Sequence, residues 1–459
     1  MLHVLEAWPP INLTSLSFLF VFLPLSVAAF YLLPPKWRGK GLLAICAVFL
    51  FLVNPVWALV LIGLTLFNFV CGRLLARFDK RVWARRGVMA LCAAVNLLVI
   101  VIVALPAQRG EAPFLLGFAV CPLLGLTAVG EFYRRETGPE SDFYAFALHC
   151  LFFPRLYGGP FGRYGEFREK TNLSRQPGAD LFEPLSLFVR GAFKVAVLGA
   201  RLRDILGTID ALPAEQQTTL SAWSLVLVFG MALYFTLSGF CDMAAGLGGL
   251  FGIPMETGFF YPYQSRNLRN FALRFHGTLS KAVGEMVRGL FGDRAKETAV
   301  NILCTFLTGA VVGLWFRLDF SSLLWGVWIA LFVVLERHLI GKALSAVPTA
   351  LGRLYNLLVV VLSLPFLLRG APWESLSLLR GMIPIGGAST TGGGGEHAYN
   401  AILYILSSNW LALALGVLLC TSLLHLGVVR LKESAPRVSK VVLRVVDLGM
   451  LVLITASLV

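Results

Sequence analysis

Most of this chain is built of apolar runs close to twenty residues long, and no other feature limits its fold so strongly. They lie near 14–34, 41–54, 56–72, 87–106, 113–130, 183–200, 219–240, 298–315, 320–340, 354–369, 400–428 and 441–459. A run of about 20 residues spans a hydrocarbon core of about 30 Å. Backbone in lipid must satisfy its own hydrogen bonds, which makes such runs helices. Of the 459 residues 57% are hydrophobic and 14% are charged, whereas soluble domains carry about 25% charged residues. The expectation is an all-α integral membrane protein, multi-pass, with roughly 10–12 transmembrane helices, the shorter runs being candidates for re-entrant segments. The first run is too long for a signal peptide, lacks a basic leader and a small-x-small cleavage site, and is expected to stay in the mature protein. Residues 1–459 read as a single polytopic domain.

A net charge of +14 raises the question of nucleic acid, and the placement of the charge argues against it. Lys36, Arg38 and Lys40 follow the first run, and Arg73, Arg77, Lys80, Arg81, Arg85 and Arg86 follow the third. Two crossings separate these clusters, so they share one face, which the positive-inside rule makes cytoplasmic. Arg134 and Arg135 fall on that face too, and the N-terminus lies outside. The cations then serve topology and contact with anionic lipid.

The eight cysteines lie almost entirely within apolar runs, with no CxxC pair and no histidine at metal-ligand spacing. They read as small buried hydrophobes rather than disulfides or a zinc site. No phosphate-binding glycine motif or nucleophile elbow occurs. The glycine-rich segment 386–397 reads as a flexible extramembrane loop.

Polar groups inside a membrane are costly and are functional candidates by default. Here they concentrate between 149 and 340. "LFFPRLYGGPFGRYGEF", 151–167, breaks an apolar run with Pro154, Gly158, Gly159 and Pro160. Arg155 sits at the break, either in a wet cavity or in an interfacial loop. "YFTLSGFCDMAAGLGGLFGI", 234–253, is studded with small residues that permit close helix contact, Ser238 among them. Asp242 within it reads either as the partner of an arginine or as a reacting group. "FFYPYQSRNLRNFALRFHGTLSKAVGEMVRGLFGDR", 259–294, has the basic, amphipathic spacing of a helix at the cytoplasmic interface. It carries His276; a single histidine on such a helix, taken alone, is more often a satisfied structural donor than a catalyst.

Taken in order, these segments resemble the membrane-bound O-acyltransferase (MBOAT) family, in particular its bacterial alginate O-acetyltransferase branch. "FFPRLYGGPFGRYGEF" is similar to that branch's F-F-P-x-L-x-x-G-P-x-x-R-Y-x-x-F element. "YFTLSGFCDMAAGLGGLFG" is similar to Y-F-D-F-S-G-Y-S-D-M-A-x-G-L-G. "YPYQSRNLRNFALRFHGTLS", which holds Asn267, Arg274 and His276, is similar to P-Y-x-S-x-S-x-x-x-F-W-R-R-W-H-I-S-L-S. "GLWFRLDFSSLLWGVWIALFVVLER", 313–337, resembles G-L-W-H-G-x-x-W-x-F-x-x-W-G-x-x-H-G-x-x-L-x-x-E-R. "FLFVFLPLSVAAFYLLP", 18–34, also resembles the branch, and residues 142–340 hold the core of the likeness.

The resemblance implies an MBOAT-type helical bundle in the bacterial inner membrane. It implies transfer of an acyl group, usually acetyl, from a cytoplasmic acyl-CoA or carrier-bound donor to hydroxyls outside. In the alginate branch the acceptor is an exported polysaccharide, with periplasmic acetyltransferase partners and export machinery. Two family histidines near the bundle centre carry the chemistry, one in Leu-Trp-His as general base and one in Arg-Trp-His. Here Phe316, after Trp315, stands at the first position, and Arg317 stands where a small residue follows it. Thr236 replaces the first Asp of Y-F-D-F-S-G, and Phe275 replaces the Trp beside His276. Phenylalanine has no proton acceptor, and losing a general base typically costs about 10² to 10⁴ in rate. His276 is therefore the candidate catalytic residue, with Arg155, Ser238, Asp242, Asn267, Arg274, Trp315 and Phe316 as candidate tunnel-lining residues. His338 lies a long helical distance beyond Phe316, and nothing requires His149 to enter the site. Three readings follow: a divergent acyltransferase, a catalytically impaired MBOAT-fold channel or scaffold, and an unrelated transporter of similar topology.

Overall fold

A computed structural model describes residues 12–108, 119–138, 142–171, 181–213, 216–383 and 394–458, and among them every regular element is a helix. The first helices are α1 (Phe18–Leu32), α2 (Pro35–Val53), α3 (Pro55–Arg77), α4 (Val82–Gln108) and α5 (Val120–Arg134). Then come α6 (Phe143–Leu151), α7 (Tyr164–Lys170), α8 (Phe182–Phe193), α9 (Ala200–Asp210) and α10 (Thr219–Leu250). The motif-rich stretch gives α11 (Leu268–Arg274), α12 (Gly277–Phe291), α13 (Thr298–Phe316), α14 (Phe320–Leu335), α15 (Gly341–Ala346) and α16 (Thr349–Leu368). The last are α17 (Pro372–Gly381), α18 (Gly394–Ser408), α19 (Trp410–Leu419), α20 (Leu423–Ser434) and α21 (Pro436–Leu458).

Among the described residues, 7 helices are long and apolar enough to cross a membrane alone: α3, α4, α10, α13, α14 with its extension, α16 and α21. Each coincides with an expected run. The pair α18–α19, bent by 68° at Asn409, makes an eighth if it is one span. Of the remaining apolar runs, 14–34 and 113–130 give helices of fewer than 18 residues, and 41–54 lies in α2, which has 19. The run 183–200 is divided among α8, a π-turn at Lys194–Gly199 and the start of α9. The run 400–428 is broken into α18, α19 and α20. Residues 113–118 lie outside the described residues, as do 386–393 of the expected glycine-rich loop. Gly394–His397 open α18 instead of continuing a loop. The long amphipathic helix expected over 259–294 is two helices, α11 and α12, separated at His276.

The chain forms two compact units: Met1–Ala192 with Phe240–Thr257 and Leu458–Val459, and Phe193–Gly239 with Gly258–Ser457. In the first, α3, α4, α5 and α6 pack together. Asn68 on α3 and Asn96 on α4, both buried, exchange amide hydrogen bonds of 3.0 and 2.7 Å. Such pairs hold helices together where the helix surfaces themselves are as apolar as lipid. Arg85, read from the sequence as a topological charge, is buried. It donates to Leu75 O at 3.1 Å, Tyr133 O at 2.7 Å and Asp79 Oδ1 at 2.9 Å. It thereby satisfies carbonyls at the C-terminal ends of α3 and α5, where a cation is favoured. Arg135 joins Asp79 Oδ1 at 2.7 Å. Asp79 thus joins Arg85, at the start of α4, to Arg135, just past the end of α5.

In the second unit the tightest packing is between α13 and α14. A Cβ on Gly326 would lie 1.9 Å from Gly309 O, and one on Gly313 would lie 2.2 Å from Ser322 O. Only hydrogen fits there, so the backbones touch. The turn between these helices is pinned by Arg317. Its Nε meets Asp319 Oδ2 at 2.8 Å, and its Nη1 donates to Leu367 O and Leu368 O at the end of α16. Asp319 also caps α14 by accepting from Ser322 N at 2.7 Å. All eight cysteines are free and buried.

Candidate active site around His276

Two short backbone segments shape the surroundings of His276. Phe260 N donates to Arg274 O at 3.1 Å and Gly277 N to Gly258 O at 2.8 Å, which folds 258–260 against 274–277. Asn267 begins α11 by accepting from Asn270 N at 2.8 Å. The buried Glu336 carboxylate reaches the same helix start. It accepts from Leu268 N at 2.8 and 3.0 Å and from Arg269 N at 3.3 Å. Negative charge at exposed N–H groups of a helix start is favourable. Glu336 therefore fixes the seven-residue helix that leads to His276. Asn267 is thus a capping residue.

His276 is 1% exposed and adopts φ 52° and ψ 46°, the left-handed region, at the start of α12. A non-glycine residue there costs about 1–2 kcal/mol. Its carbonyl accepts from Leu279 N at 3.0 Å and Ser280 N at 3.1 Å, so the strained backbone also opens the helix. Ring walls enclose the imidazole: Phe259 at 5.3 Å and Phe316 at 6.4 Å between centroids. Phe316 meets Trp325 edge-on at 5.4 Å, and Phe275 lies 6.1 Å from Phe316 and 6.2 Å from Trp325. The glycine contact between α13 and α14 is what allows Phe316, the last residue of α13, and Trp325 of α14 to meet. The fold therefore brings His276 and Phe316 together, with Trp325 and Phe275 completing an apolar surround. Arg274 places its guanidinium over the Phe260 ring, 5.7 Å from the centroid. Trp315 is half-buried beside Phe316 in sequence, and Ser238 is buried on α10.

Arg155 and His149 form a separate centre in the first unit. After α6 the chain takes a 3₁₀ turn at Phe153–Tyr157, and Gly158 and Gly159 adopt φ of 122° and 103°. Those values explain the two glycines, since other residues are strained there. Arg155 is 2% exposed. It donates from Nε to Pro160 O at 2.9 Å and from Nη1 to His149 O at 3.4 Å, and Nη1 lies 3.4 Å from His149 Nδ1. Its guanidinium covers the Phe167 ring at 5.0 Å. His149, fully buried, has Tyr164 and Phe167 edge-on at 5.2 and 5.1 Å. Glu131 accepts from Tyr164 N at 2.8 Å and Gly165 N at 3.2 Å and so anchors α7. The break is thus a packed loop organised by Arg155. Asp242 is also buried in this unit.

The sequence reading passed over three contributors. Trp325 and Glu336 both lie within the 313–337 motif, where neither stands out by residue type. His425 on α20 faces Phe260 and Tyr261, 6.4 and 6.0 Å from their rings. His338, by contrast, is exposed.

No family model matches the chain. Individual proteins do. The chain is 26% identical to a probable alginate O-acetylase of Pseudomonas aeruginosa, over 76% of its own length and 70% of that protein. It is 31% identical to a peptidoglycan O-acetyltransferase of Helicobacter pylori over 54% of its length and 48% of the relative. A teichoic acid D-alanyltransferase of Bacillus subtilis is 26% identical over 40% of the chain and 49% of the relative. These relatives, the ordered motifs and the all-helical membrane fold agree: the chain is similar to the membrane-bound O-acyltransferases, and to their alginate O-acetylase branch over most of its length.

Proposed function

We propose that this protein transfers an acyl group, acetyl first among candidates, to hydroxyls of an extracytoplasmic glycan. The donor is an acyl thioester of coenzyme A or of a carrier, presented from the cytoplasm. The observation that carries this reading is the cluster His276–Phe275–Phe316–Trp325. It unites the two motifs in which the family keeps its histidines, inside a scaffold whose relatives are named for acyl transfer to alginate, peptidoglycan and teichoic acid. His276 is the group that takes the acceptor proton, since neutral imidazole suits that role near pH 7. The protein resides in the bacterial inner membrane with its N-terminus outside and residues 259–296 on the cytoplasmic side. Periplasmic acetyltransferases and polysaccharide export machinery are its working partners.

One observation favours a second reading. Phe316 fills the position beside His276 where the family pattern has its general base. A chain without that base serves equally as an acyl conduit or scaffold in a polysaccharide-modifying complex. Purified protein in lipid nanodiscs, given radiolabelled acetyl-CoA and glycan acceptors, separates the two. Label transfer that is lost on His276→Ala supports the enzyme. Donor binding without turnover supports the conduit.

A further inference from the structure

Trp325 is 3% exposed, and its indole Nε1 is buried with no acceptor among the described residues. Two other tryptophans in the same unit differ. Trp223 Nε1 donates to Met382 O at 2.8 Å, and Trp328 Nε1, one turn along α14, donates to Val359 O at 3.2 Å. Buried indole N–H groups ordinarily find such a partner, and an unmatched one opposes folding. The rings around Trp325 do not supply one. Phe316 stands edge-on at 5.4 Å and Phe275 at 6.2 Å, and neither has a lone pair. The same Phe316 is a wall of the His276 surround.

We infer that the Trp325 N–H is held for a ligand, and that it donates to the carbonyl oxygen of the acyl group being transferred. An indole nitrogen can only donate, so its partner must offer an acceptor. The carbonyl oxygen is the acceptor whose charge grows during the reaction, and a preorganised donor aimed at it lowers the barrier. The step balances as follows. The acceptor hydroxyl oxygen bonds to the acyl carbon, and its proton passes to His276. The carbonyl π pair moves onto oxygen, where Trp325 holds it. The oxyanion then re-forms the carbonyl and expels the donor thiolate, which takes the proton back from His276. With Phe316 unable to accept a proton, such electrostatic help is a larger share of whatever rate remains.

This assignment rests on the thioester donor proposed above, and the test separates the two. Full-length protein in nanodiscs is titrated with S-acetonyl-CoA, which keeps a carbonyl and cannot transfer it, and with S-ethyl-CoA, which lacks the carbonyl. Both carry the phosphopantetheine arm that a carrier would also present. Trp325→Phe should weaken S-acetonyl-CoA about 5- to 10-fold and leave S-ethyl-CoA within about twofold. If Trp325→Phe lowers the yield of folded protein, the isostere β-(3-benzothienyl)alanine at 325, which keeps the ring and lacks the N–H, decides instead. Equal loss for both ligands, or no loss for either, overturns the assignment and leaves the donor reading intact. A wild-type protein that binds neither ligand overturns the donor reading, and the role of Trp325 with it.

Discussion

Two interrupted helical segments, one in each unit, are built with the same devices and surround their histidines differently. In the first unit Glu131 anchors the start of α7, two glycines take positive φ, and His149 is buried. In the second Glu336 anchors the start of α11, His276 itself takes positive φ, and it too is buried. The difference is what stands next to the ring. His149 is held by a guanidinium that also ties the loop carbonyls together. His276 looks onto aromatic rings and, beyond one of them, a buried N–H with no acceptor among the described residues. A buried histidine in a broken helix is therefore no sufficient sign of a reaction centre. Rigid polar neighbours tie His149 into the architecture, while the rings packed against His276 are aromatic.

The strongest test of that contrast is Phe316→His. It sets a second imidazole beside His276 in place of a ring that is already 6.4 Å away. If only the base is missing, acyl transfer should rise by about 10² to 10⁴, and His276→Ala in the same background should remove the gain. No gain from a well-folded variant would mean that the donor and acceptor paths have diverged as well. Arg317, which the sequence places beside the new imidazole, is committed to Asp319 and to the end of α16. Arg317→Gly would release that turn, so the single substitution is the cleaner test.

Next in size is Gly326→Val. Its Cβ would lie 1.9 Å from Gly309 O, against backbone that has no rotamer to change. Overpacking typically costs about 1–3 kcal/mol, and contact with fixed backbone belongs at or above the top of that range. Size-exclusion profiles after detergent extraction should show a loss of monodisperse protein. A normal profile and melting temperature would mean that α13 and α14 are not so closely joined, and that the meeting of Phe316 with Trp325 has another cause.

Much of this architecture was legible beforehand. The runs that became α3, α4, α10, α13, α14, α16 and α21 are apolar all round and long, so length alone identifies them. The break at 151–167 was legible because proline and paired glycines leave no helical alternative. Other features leave no periodic trace. At the bend, Asn409 accepts from Arg201 at 2.7 Å, far away in sequence. The burial of Arg85 depends on carbonyls at two distant helix ends. The π-turns at Phe18–Phe22, Lys194–Gly199 and Glu336–Ile340 are shifts of backbone hydrogen bonding that hydrophobic pattern does not encode. At the site, the pairing of His276 with Phe316 came from motif likeness and not from spacing. Trp325 was missed because an unpaired N–H exists only once its neighbours are known.

A third test weighs the two arginines against each other. Arg155→Leu leaves the carbonyls of Pro160 and His149 without their donor in a buried loop. The expected cost is about 2–4 kcal/mol, that of unmet buried hydrogen-bonding groups. Arg274→Leu removes a contact with the Phe260 ring from a half-buried position, worth about 0.5–1 kcal/mol. Melting temperatures in one detergent should therefore fall clearly for the first and little for the second. The reverse order would move the architectural role to the His276 segment and undo the contrast.

The smallest effect concerns the approach to α7. Glu136 accepts from Arg134 Nε at 2.7 Å and Nη2 at 3.2 Å, and it pairs with Arg163, the residue just before α7. Hydrogen bonding from Arg134, opposed by partial burial and reinforced by the charges of Arg134 and Arg163, holds the Glu136 carboxyl below its ordinary value. In the unfolded chain the carboxyl titrates near about 4.3. Because the folded value is the lower one, the stabilisation is present above the unfolded value and is lost as pH falls through the folded one. The side chains of Glu136 and Arg163 are each 36% exposed, so solvent screening limits the contribution to about 0.5 kcal/mol. Melting temperature should thus decline more steeply as pH falls below about 4.3 in the native protein than in Glu136→Gln. The gap should shrink as salt is raised, since the Debye length is about 10 Å at 0.1 M and about 3 Å at 1 M. Parallel pH curves at low salt would show that this cluster does not help to hold α7. Glu131 would then be the principal tether of the helix that packs on His149, and the two units would resemble each other more closely still, each with one buried carboxylate fixing one short helix.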